Sequence, residues 1–421
     1  MKFKRIGQGL VAVAASVGLG LGMTSCSPSD TIDYLFVTTN STTTTGNGQI
    51  TAYHVDSISG ALSQVVGTPT SSEGANPVAE IPSINGQYLY VANHGSNNIA
   101  EFVIGTDGQL SSAHTYTTPG SEPVSLSMNA AGTFLFVLDY YGPGFSDTNP
   151  GPGVLVVYPI NTDGSLGSPV TTGGLGYTPV QCFPSGVAVS PNGNFVYVSN
   201  TNSVVITTSG PTTATPPATP ATCPTQGTIS GFAVSSSGSL SAAPGSPFPA
   251  GATPTGIVVD VTSRFLYVVD SSQNQLIVYG ILTGGTLNPS LNAPVTTGTF
   301  PIGITVDPRD EYLYVTNYNA QSISEYTISQ ASGQPSALAT TGWSTGDPGP
   351  TCVVVDPSLG RYVFASLSLF NAVSAAQLNP NTGELTGVQN SPYQVVGKAT
   401  CVAAVPHGNH ATQFVPITSG Q

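Results

Sequence analysis

The sequence predicts an all-β fold, a seven-bladed β-propeller built of four-stranded blades. One stretch of alternating aromatic and aliphatic residues occurs seven times, at 34–37, 88–91, 134–137, 195–198, 265–268, 312–315 and 362–365. Alternation with period two indicates a β-strand. Successive copies lie 46 to 70 residues apart, a spacing typical of a repeated unit in a ring or array. Seven such units would close into a propeller.

Each unit can be divided into four strands, which we name A to D in chain order. The clearest copy predicts strand A at 302–306, strand B at 312–316, strand C at 322–328 and a weaker strand D after Leu338. A turn with Asp first and Pro second, at 307–310, joins A to B. A later turn ending in Gly-x-Leu restarts the sheet after strand C.

The ends of the chain are predicted to meet in one blade. Strand A opens with a proline in six copies, at Pro77, Pro123, Pro184, Pro254, Pro301 and Pro350. The seventh strand A is found only at 398–406, whereas the first repeat begins directly with strand B. Blade 1 would therefore combine a C-terminal strand A with N-terminal strands B to D, which closes the ring and protects its edges. The propeller is predicted to span 31–406, followed by a tail at 407–421.

Small residues align on the inner strands, and two of the seven are cysteines. The aligned residues are Ala79, Ser125, Gly186, Gly256, Gly303, Cys352 and Cys401. Cys352 and Cys401 would lie on neighbouring innermost strands, close enough for a disulfide if their Cα atoms are within about 7 Å. Cys182 and Cys223 lie in loops that emerge on one face, so they form a second candidate pair.

The N-terminus predicts export. Lys2, Lys4 and Arg5 precede an apolar stretch at about 10–23, as in a signal peptide. The sequence Met-Thr-Ser-Cys at 23–26 resembles the lipobox of bacterial lipoproteins, which implies cleavage after residue 25, a lipid on Cys26 and a short tether at 26–30. We therefore expect a protein exported to the bacterial cell envelope, at the outer membrane or cell surface, and held to the membrane by this lipid alone. A plain signal peptide with an incidental cysteine is the alternative.

The charge balance excludes nucleic acid as a partner. Without residues 1–25 the chain has four Lys and Arg against twenty Asp and Glu, a formal charge of −16. Binding to nucleic acid depends on neutralising phosphates with Lys and Arg. We expect a monomer whose partner is a small-molecule lactone, a glycan or an envelope protein.

Two residues of blade 2 are candidates for catalysis. Glu80 occupies a strand A position that is aliphatic elsewhere, at Leu126, Val187, Ile257, Ile304, Val353 and Val402. Burial would raise its pKa and suit it to general-base catalysis. His94 opens the B–C loop, where we expect it opposite Pro77 and about 10 Å from Glu80, so that a water or substrate would bridge them. The alternatives are a Glu80 hydrogen-bonded to a neighbouring blade or to water, and a His94 that is only an exposed loop residue.

Polar residues should surround the mouth of the central channel. Strands B end in Asn93, Asp139, Asn200, Asp270 and Asn317, and Glu122 and Asp347 lie in the links that lead into strands A. Oxygen ligands could bind a ligand or Ca²⁺, although no cofactor is required. The alternative is that Asn and Asp end strands by bonding their own backbone. Trp343 and other loop aromatics offer flat surfaces for a sugar or a partner.

The strand B motif resembles that of a known family. Tyr-Val-Thr-Asn at 314–317 and its variants at 90–93 and 197–200 are similar to the YVTN-type propellers and to the lactonase family of seven-bladed propellers, which includes bacterial 6-phosphogluconolactonase. The resemblance implies hydrolysis of a lactone. A phosphorylated substrate would need basic groups at the mouth, but Arg264, Arg309 and Arg361 fall in A–B turns on the opposite face, leaving only Lys398 near the mouth.

Two functions follow as hypotheses. The first is a ligand- or partner-binding protein that acts through the loop-rich face formed by B–C loops and D–A links. The second is a lactone hydrolase in which Glu80 activates water and His94 orients it.

Overall fold

The structure is a computed structural model that describes residues 30–41, 46–201, 223, 225–289, 294–339 and 342–408. The predicted signal peptide, Cys26 and the tail beyond residue 408 lie outside the described residues. The described ranges contain no helix long and apolar enough to cross a membrane.

Seven antiparallel sheets form the seven predicted blades. Strands A span Ala399–Pro406, Pro77–Pro82, Ser121–Met128, Pro184–Val189, Pro254–Val259, Pro301–Val306 and Pro350–Val355, for blades 1 to 7. Strands B span Thr31–Thr39, Tyr88–Asn93, Phe134–Tyr141, Phe195–Asn200, Phe265–Asp270, Tyr312–Asn317 and Tyr362–Leu367. Strands C span Gln49–Asp56, Asn98–Ile104, Pro152–Pro159, Thr228–Val234, Gln275–Ile281, Ser322–Ile328 and Ala372–Leu378.

The outer strand D is continuous in only two blades. It spans Leu110–Thr117 in blade 2 and Thr178–Cys182 in blade 3. In the other five it is divided into two short segments that both pair with strand C. These segments are Leu62–Gln64 and Thr70–Ser71, Leu240–Ala242 and Phe248–Pro249, Leu287–Pro289 and Val295–Thr296, Pro335–Ala337 and Trp343–Ser344, and Leu385–Gly387 and Tyr393–Gln394. The described residues also include two short 3₁₀ helices, His94–Ser96 and Thr283–Gly285.

Ring closure by the C-terminal strand is confirmed. In blade 1 the last strand pairs with the first, so that Val37 lies opposite Val402 and Thr38 opposite Cys401. Each strand A also contacts the strands A of both neighbouring blades, all the way round the ring. The inner edge of each sheet, strand A, is therefore flanked on both sides by the strands A of its neighbours around the channel.

The aromatic motif of strand B and the glycine of the C–D turn form the same contact between neighbouring blades. The first aromatic residue of every strand B packs on the glycine of the C–D turn in the next blade, and a Cβ on that glycine would lie 2.2–2.7 Å from the ring. The pairs are Tyr34–Gly108, Tyr88–Gly164, Phe134–Gly238, Phe195–Gly285, Phe265–Gly333, Tyr312–Gly383 and Tyr362–Gly60. Four strand B tyrosines donate from their hydroxyls to carbonyls of these glycines, for example Tyr90 to Gly164 at 2.7 Å. The repeats in the sequence are thus the two halves of one contact between blades.

Both predicted disulfides are present. Cys352 and Cys401 join the inner strands of blades 7 and 1, with Cα atoms 4.9 Å apart. Cys182 and Cys223 join the outer strand of blade 3 to the B–C loop of blade 4, with Cα atoms 5.5 Å apart. The other aligned small residues let the inner strands approach, because a Cβ on Gly303 would lie 2.1 Å from the carbonyl oxygen of Thr351.

Candidate functional site

The channel opens on the face where strands A begin and strands B end. In blades 2 to 7, the residue that precedes the proline of strand A lies at this opening. In blade 1, the residue that precedes Ala399 takes the same place. We call these residues the mouth ring: Lys398, Asn76, Glu122, Phe183, Thr253, Phe300 and Gly349, for blades 1 to 7. The first residues after strands B lie beside it, and the backbone N–H groups of His94, Thr201 and Tyr318 donate to the carbonyls of Asn76, Phe183 and Phe300 at 2.9–3.0 Å.

Four of the twelve described non-glycine residues with positive φ belong to the mouth ring. Asn76, Glu122, Phe183 and Phe300 have φ values of 53°, 58°, 50° and 57°, and Gly349 has 80°. Only glycine adopts this left-handed conformation at no steric cost, and a bulky residue there is unusual. Such strain occurs often at ligand-binding sites, so the side chains at these positions are candidates for contact with a ligand.

A β-bulge moves His94 by one position from where we expected it. Register shifts between strands A and B in all seven blades, and in blade 2 Pro77 pairs with Asn93 while Glu80 pairs with Val91. The N–H of His94 therefore donates to Asn76, and the expectation that His94 lies opposite Pro77 was wrong. A bulge inserts one unpaired residue, here Val78, that hydrophobic alternation does not reveal.

His94 is paired with Glu122 of blade 3. The distance from His94 Nε2 to Glu122 Oε2 is 3.6 Å, and each side chain is 27% exposed. Asn97 fixes the backbone of Glu122 by accepting its N–H at 2.7 Å. The other imidazole nitrogen of His94, Nδ1, is buried without a partner among the described residues. Nε2 is therefore the nitrogen available at the mouth, next to a carboxylate.

Aromatic residues of blades 3 and 4 lie next to this pair. The ring centroid of Tyr140 is 5.6 Å from that of Phe183, and Tyr141 lies 6.5 Å from Phe183. The hydroxyl of Tyr141 donates to Asp147 at 3.0 Å, which ties down the blade 3 insertion at 142–153 that follows strand B. Burial raises the pKa of Tyr140, and the carboxylates of Glu122 and Asp147 add to this effect. Of the blade 4 insertion, 207–225, only Cys223 and Thr225 are among the described residues.

Glu80 is buried between blades 1 and 2 and does not meet His94. Its side chain is 8% exposed, and neither carboxylate oxygen has a hydrogen-bond partner among the described residues. Burial raises its pKa well above the usual value, and the backbone of Thr38 in blade 1 acts weakly in the opposite direction. The predicted burial and pKa direction are thus present, but the catalytic role remains a prediction.

The polar residues that end strands B are completely buried. Asn93, Asp139, Asn200, Asp270 and Asn317 each have 0% exposure. They hold loops of their own blade, as when Asp270 accepts the N–H groups of Ala252 at 2.6 Å and Thr253 at 3.2 Å. Burial raises the pKa of Asp139 to about 7, although the N–H of Gly120 and the hydroxyl of Thr118 lower it. Asp270 also accepts the N–H groups of Ser272 and Gln273 after its own strand, as in the alternative, whereas Oδ1 of Asn93, Asp139, Asn200 and Asn317 has no hydrogen-bond partner among the described residues. Binding of a ligand by these residues stays a prediction.

Trp343 and Asp347 lie apart from the pair. Trp343 belongs to the second outer segment of blade 6, where it pairs with Ile323 and packs on the core between blades 6 and 7. It therefore lies in a short outer strand of blade 6 rather than in a loop, and its contact with a ligand stays a prediction. Asp347 lies in the D–A link that leads into blade 7, and its carbonyl accepts the Thr345 hydroxyl at 2.8 Å.

The next features are the acidic, histidine and cysteine side chains that could hold a metal ion, and the positions of the basic residues. They contain no group of three or more His, Cys, Asp or Glu side chains placed to hold a metal ion. Arg264, Arg309 and Arg361 lie in A–B turns on the face opposite the mouth, as predicted. Lys398 is the cationic member of the mouth ring and is exposed.

A comparison with protein families identifies the fold. The model of the family described as "Lactonase, 7-bladed beta-propeller" matches residues 33–140 and 226–404. The chain belongs to this family. His94, Glu122 and Lys398 lie in the matched segments, whereas the segment between them, 141–225, contains Phe183 and both insertions. A search of curated proteins finds no match.

Several solved structures share the fold of this chain at low sequence identity. A candidate 6-phosphogluconolactonase from Bacteroides fragilis has a TM-score of 0.67 and 18% identity over 90% of this chain and 99% of its own. The periplasmic gluconolactonase of Pseudomonas aeruginosa has a TM-score of 0.69 and 17% identity over 90% of this chain and 100% of its own. A hypothetical selenium-binding protein from Sulfolobus tokodaii also matches, with a TM-score of 0.59 and 12% identity over 90% of this chain and 93% of its own.

The sequence missed part of the mouth ring. The sequence predicts side chains at the mouth from the ends of strands B, and this pattern does not include Asn76 or Phe300. The six prolines that open strands A mark the ring directly, since the residue before each of them stands at the channel opening. That pattern was visible in the sequence, but the positive φ that aims these side chains was not.

Proposed function

We propose that this protein is a lactone hydrolase whose reaction takes place in the sector of the mouth formed by blades 1 to 3. We call Lys398, Asn76, His94 and Glu122 the polar sector. The observation that carries the proposal is the His94–Glu122 pair, at 3.6 Å, on a lactonase-family propeller. The two hypotheses thus change places, and hydrolysis becomes the first.

The polar sector offers the groups that lactone hydrolysis needs. A water bound to Nε2 of neutral His94 and to the Glu122 carboxylate would lose a proton to this pair as its oxygen attacks the lactone carbonyl. The ammonium of Lys398 and the amide of Asn76 are donors for the oxygen that becomes negative in the transition state. When the ring C–O bond breaks, the same proton passes to the leaving oxygen, and the product is a hydroxy acid. No metal ion is needed for these steps.

The test is hydrolysis of a panel of uncharged and phosphorylated lactones by the purified protein. We expect turnover, and we expect His94→Gln and Glu122→Gln each to lower kcat/KM by about 100-fold or more, the usual contribution of a general base. His114→Gln is the matched control, because His114 is an exposed histidine on the outer strand of blade 2.

Three outcomes would contradict the proposal in different ways. No turnover of any lactone would favour the binding role instead. Turnover that survives both His94→Gln and Glu122→Gln would move the reaction away from the polar sector. Loss of turnover in Glu80→Gln alone, with a folded protein, would assign the base to Glu80, as the sequence predicted.

We further propose export and lipid anchoring through Cys26. The two disulfides support an oxidising compartment outside the cytoplasm. Metabolic labelling with a radioactive fatty acid should mark the protein in membranes, and Cys26→Ser should abolish the label. Label retained in Cys26→Ser would overturn this proposal.

A further inference from the structure

The geometry points to an uncharged lactone with an apolar substituent as the substrate, with Phe183 and Phe300 of the mouth ring holding that substituent. This inference rests on the proposed lactone hydrolysis and adds the chemical class of the substrate. Phe183 and Phe300, with the neighbouring Tyr140 and Tyr318, make up what we call the aromatic sector of the mouth. Tyr140 and Phe183 of blades 3 and 4 adjoin the polar sector, and Phe300 and Tyr318 of blade 6 lie beyond Thr253 of blade 5.

Both phenylalanines occupy a backbone conformation that suits glycine. Their φ values are 50° and 57°, and the equivalent residue of blade 7 is Gly349 with φ 80°. A residue that precedes proline and has a large side chain is poorly suited to this conformation. Glycine would adopt this conformation with less strain. We therefore attribute the phenylalanines at these positions to contacts that their rings make.

The rings are held in place and reach solvent. Phe183 is fixed by Tyr140, 5.6 Å away between centroids, and its carbonyl accepts both the N–H and the hydroxyl of Thr201 at 3.0 and 3.1 Å. Phe300 lies 6.1 Å from Tyr318, and its N–H donates to Asn274 at 2.8 Å. Phe300 is nonetheless 42% exposed. Rigid, partly exposed aromatic rings are the usual lining of a site for an apolar group.

The charges at the mouth disfavour an anionic substituent. Glu122 lies in the mouth ring, and both it and Asp147 raise the pKa of Tyr140 in the aromatic sector. The three arginines of the described residues lie in turns on the opposite face, and Lys398 is in blade 1. A phosphate on the substrate would therefore meet negative charge beside the aromatic sector, where an uncharged substituent would not.

The match to the family model separates the polar sector from Phe183 of the aromatic sector. The polar sector lies within the matched residues 33–140 and 226–404, and Phe183 lies in the unmatched segment between them. The groups proposed to act on the lactone are thus in the part that this chain shares with the family, and one half of the proposed substituent site is in the part that differs.

The experiment compares three lactones in three variants. The lactones are δ-valerolactone, which has no substituent, δ-decalactone, which carries a pentyl chain, and 6-phosphogluconolactone. We expect kcat/KM for δ-decalactone to exceed that for δ-valerolactone by about tenfold or more, the scale of one or two methylenes in an apolar site. 6-Phosphogluconolactone should be the poorest of the three. Phe183→Gly and Phe300→Gly should each reduce the preference for the pentyl chain over the unsubstituted ring, through a higher KM for δ-decalactone.

A stability measurement separates this role from a structural one. Because glycine relieves the backbone strain, both variants should unfold at the same temperature as the wild type or a higher one. Asn390→Gly is the matched control: Asn390 has φ 68° but is an exposed residue of blade 7 outside the mouth ring, so it should leave the substrate preference unchanged. If a glycine variant does not fold, Phe183→Asn is used, since asparagine tolerates a positive φ.

The outcomes distinguish this inference from the proposed function. A faster reaction with 6-phosphogluconolactone, or a pentyl preference that both glycine variants keep, would overturn the inference while lactone hydrolysis stands. Absence of turnover with all three lactones would instead remove the proposed function on which the inference rests.

Discussion

Glu80 departs from a position that is aliphatic in the other six blades. The aligned residues Leu126, Val187, Ile257, Ile304, Val353 and Val402 all contribute to the hydrophobic cores between neighbouring blades. Glu80 is buried at the matching place between blades 1 and 2, and its oxygens have no partner among the described residues. The sequence identified this residue correctly as an anomaly. It also predicted that Glu80 and His94 do not touch, but it could not show the bulge at Val78, which leaves Asn93 rather than His94 opposite Pro77.

Replacing Glu80 with leucine should stabilise the protein in a pH-dependent way. Burial raises the pKa of Glu80, so the folded protein holds the neutral acid while the unfolded chain ionises near the usual value of 4.5. The wild type therefore loses stability as pH rises above about 4.5, and Glu80→Leu does not undergo this loss. At pH 8 the variant should be more stable by about 1–3 kcal/mol, the cost of an unsatisfied buried polar group. The measurement is urea unfolding of both proteins at several pH values.

Glu80→Gln is the control for this prediction. It keeps the shape and removes the ionisation, so its stability should be independent of pH in the same window but without the gain from apolar packing. A Glu80→Leu variant less stable than wild type at pH 8 would show that the carboxylate has a partner that stabilises it.

At the scale of elements, the repeated strand pairs were predictable and their registers were not. The aromatic residues of strands B and the glycines of C–D turns are both visible as repeats, because each blade needs the same contact with the next. The bulge at the start of strand A also recurs in all seven blades, but a bulge leaves the aliphatic alternation of strand A intact. Consequently the number of blades and the closing strand were predicted correctly, and the partner of His94 was not.

The disulfide between blades 7 and 1 should keep the closing strand in place. Cys352→Ala with Cys401→Ala should lower the free energy of unfolding by about 2–4 kcal/mol, as expected for removal of a native disulfide. Hydrogen exchange should accelerate most in 399–406, because that strand then depends only on its hydrogen bonds to 31–39 and on packing. The measurement is hydrogen exchange followed by mass spectrometry, on the wild type with its disulfides intact and on the double variant.

The pair Cys182→Ala and Cys223→Ala is the matched control. The disulfide that it removes closes a loop of similar length, with a sequence separation of 41 residues against 49. That disulfide joins blades 3 and 4, far from the closing strand. Exchange in 399–406 should stay as in the wild type. Equal acceleration of that strand in both double variants would show that the closing disulfide has no special effect on blade 1.

At the scale of the whole molecule, the channel has two faces of different character. The mouth carries His94, Glu122 and the aromatic sector, whereas the three arginines and several buried carboxyl groups lie in turns at the other end. Composition predicted the acidic balance but not its placement, since carboxyl groups far apart in sequence become neighbours only when the ring closes. Asp33 of blade 1 and Asp356 of blade 7 are such a pair: their side chains interact directly, and the hydroxyl of Ser358 donates to Asp33 at 2.5 Å.

These buried carboxyl groups should make the propeller more stable in acid than at neutral pH. Burial raises the pKa of Asp33 well above its usual value, with Asp356 adding to the effect, and it raises the pKa of Asp310 to about 7, with Asp260 adding to it. The pKa of Asp139 is likewise raised by burial to about 7. Each group has a folded-state pKa above the usual 3.8, so its stabilising effect is complete below about pH 4 and is lost as pH rises through its folded-state pKa, which is about 7 for Asp139 and Asp310. We therefore expect the free energy of unfolding to decrease from pH 4 to pH 8.

Substitution of one of these groups tests the cause as well as the trend. Asp310→Asn should reduce the decrease between pH 4 and pH 8, because asparagine cannot ionise and tolerates the φ of 62° at this position. Asp163→Asn is the control, since Asp163 is exposed and hydrogen bonds from Ser165 lower its pKa rather than raise it. Urea unfolding across the pH range measures all three proteins. Stability that increases from pH 4 to pH 8 in the wild type would mean that the closed ring tolerates these charges, and that water reaches the carboxyl groups between the blades.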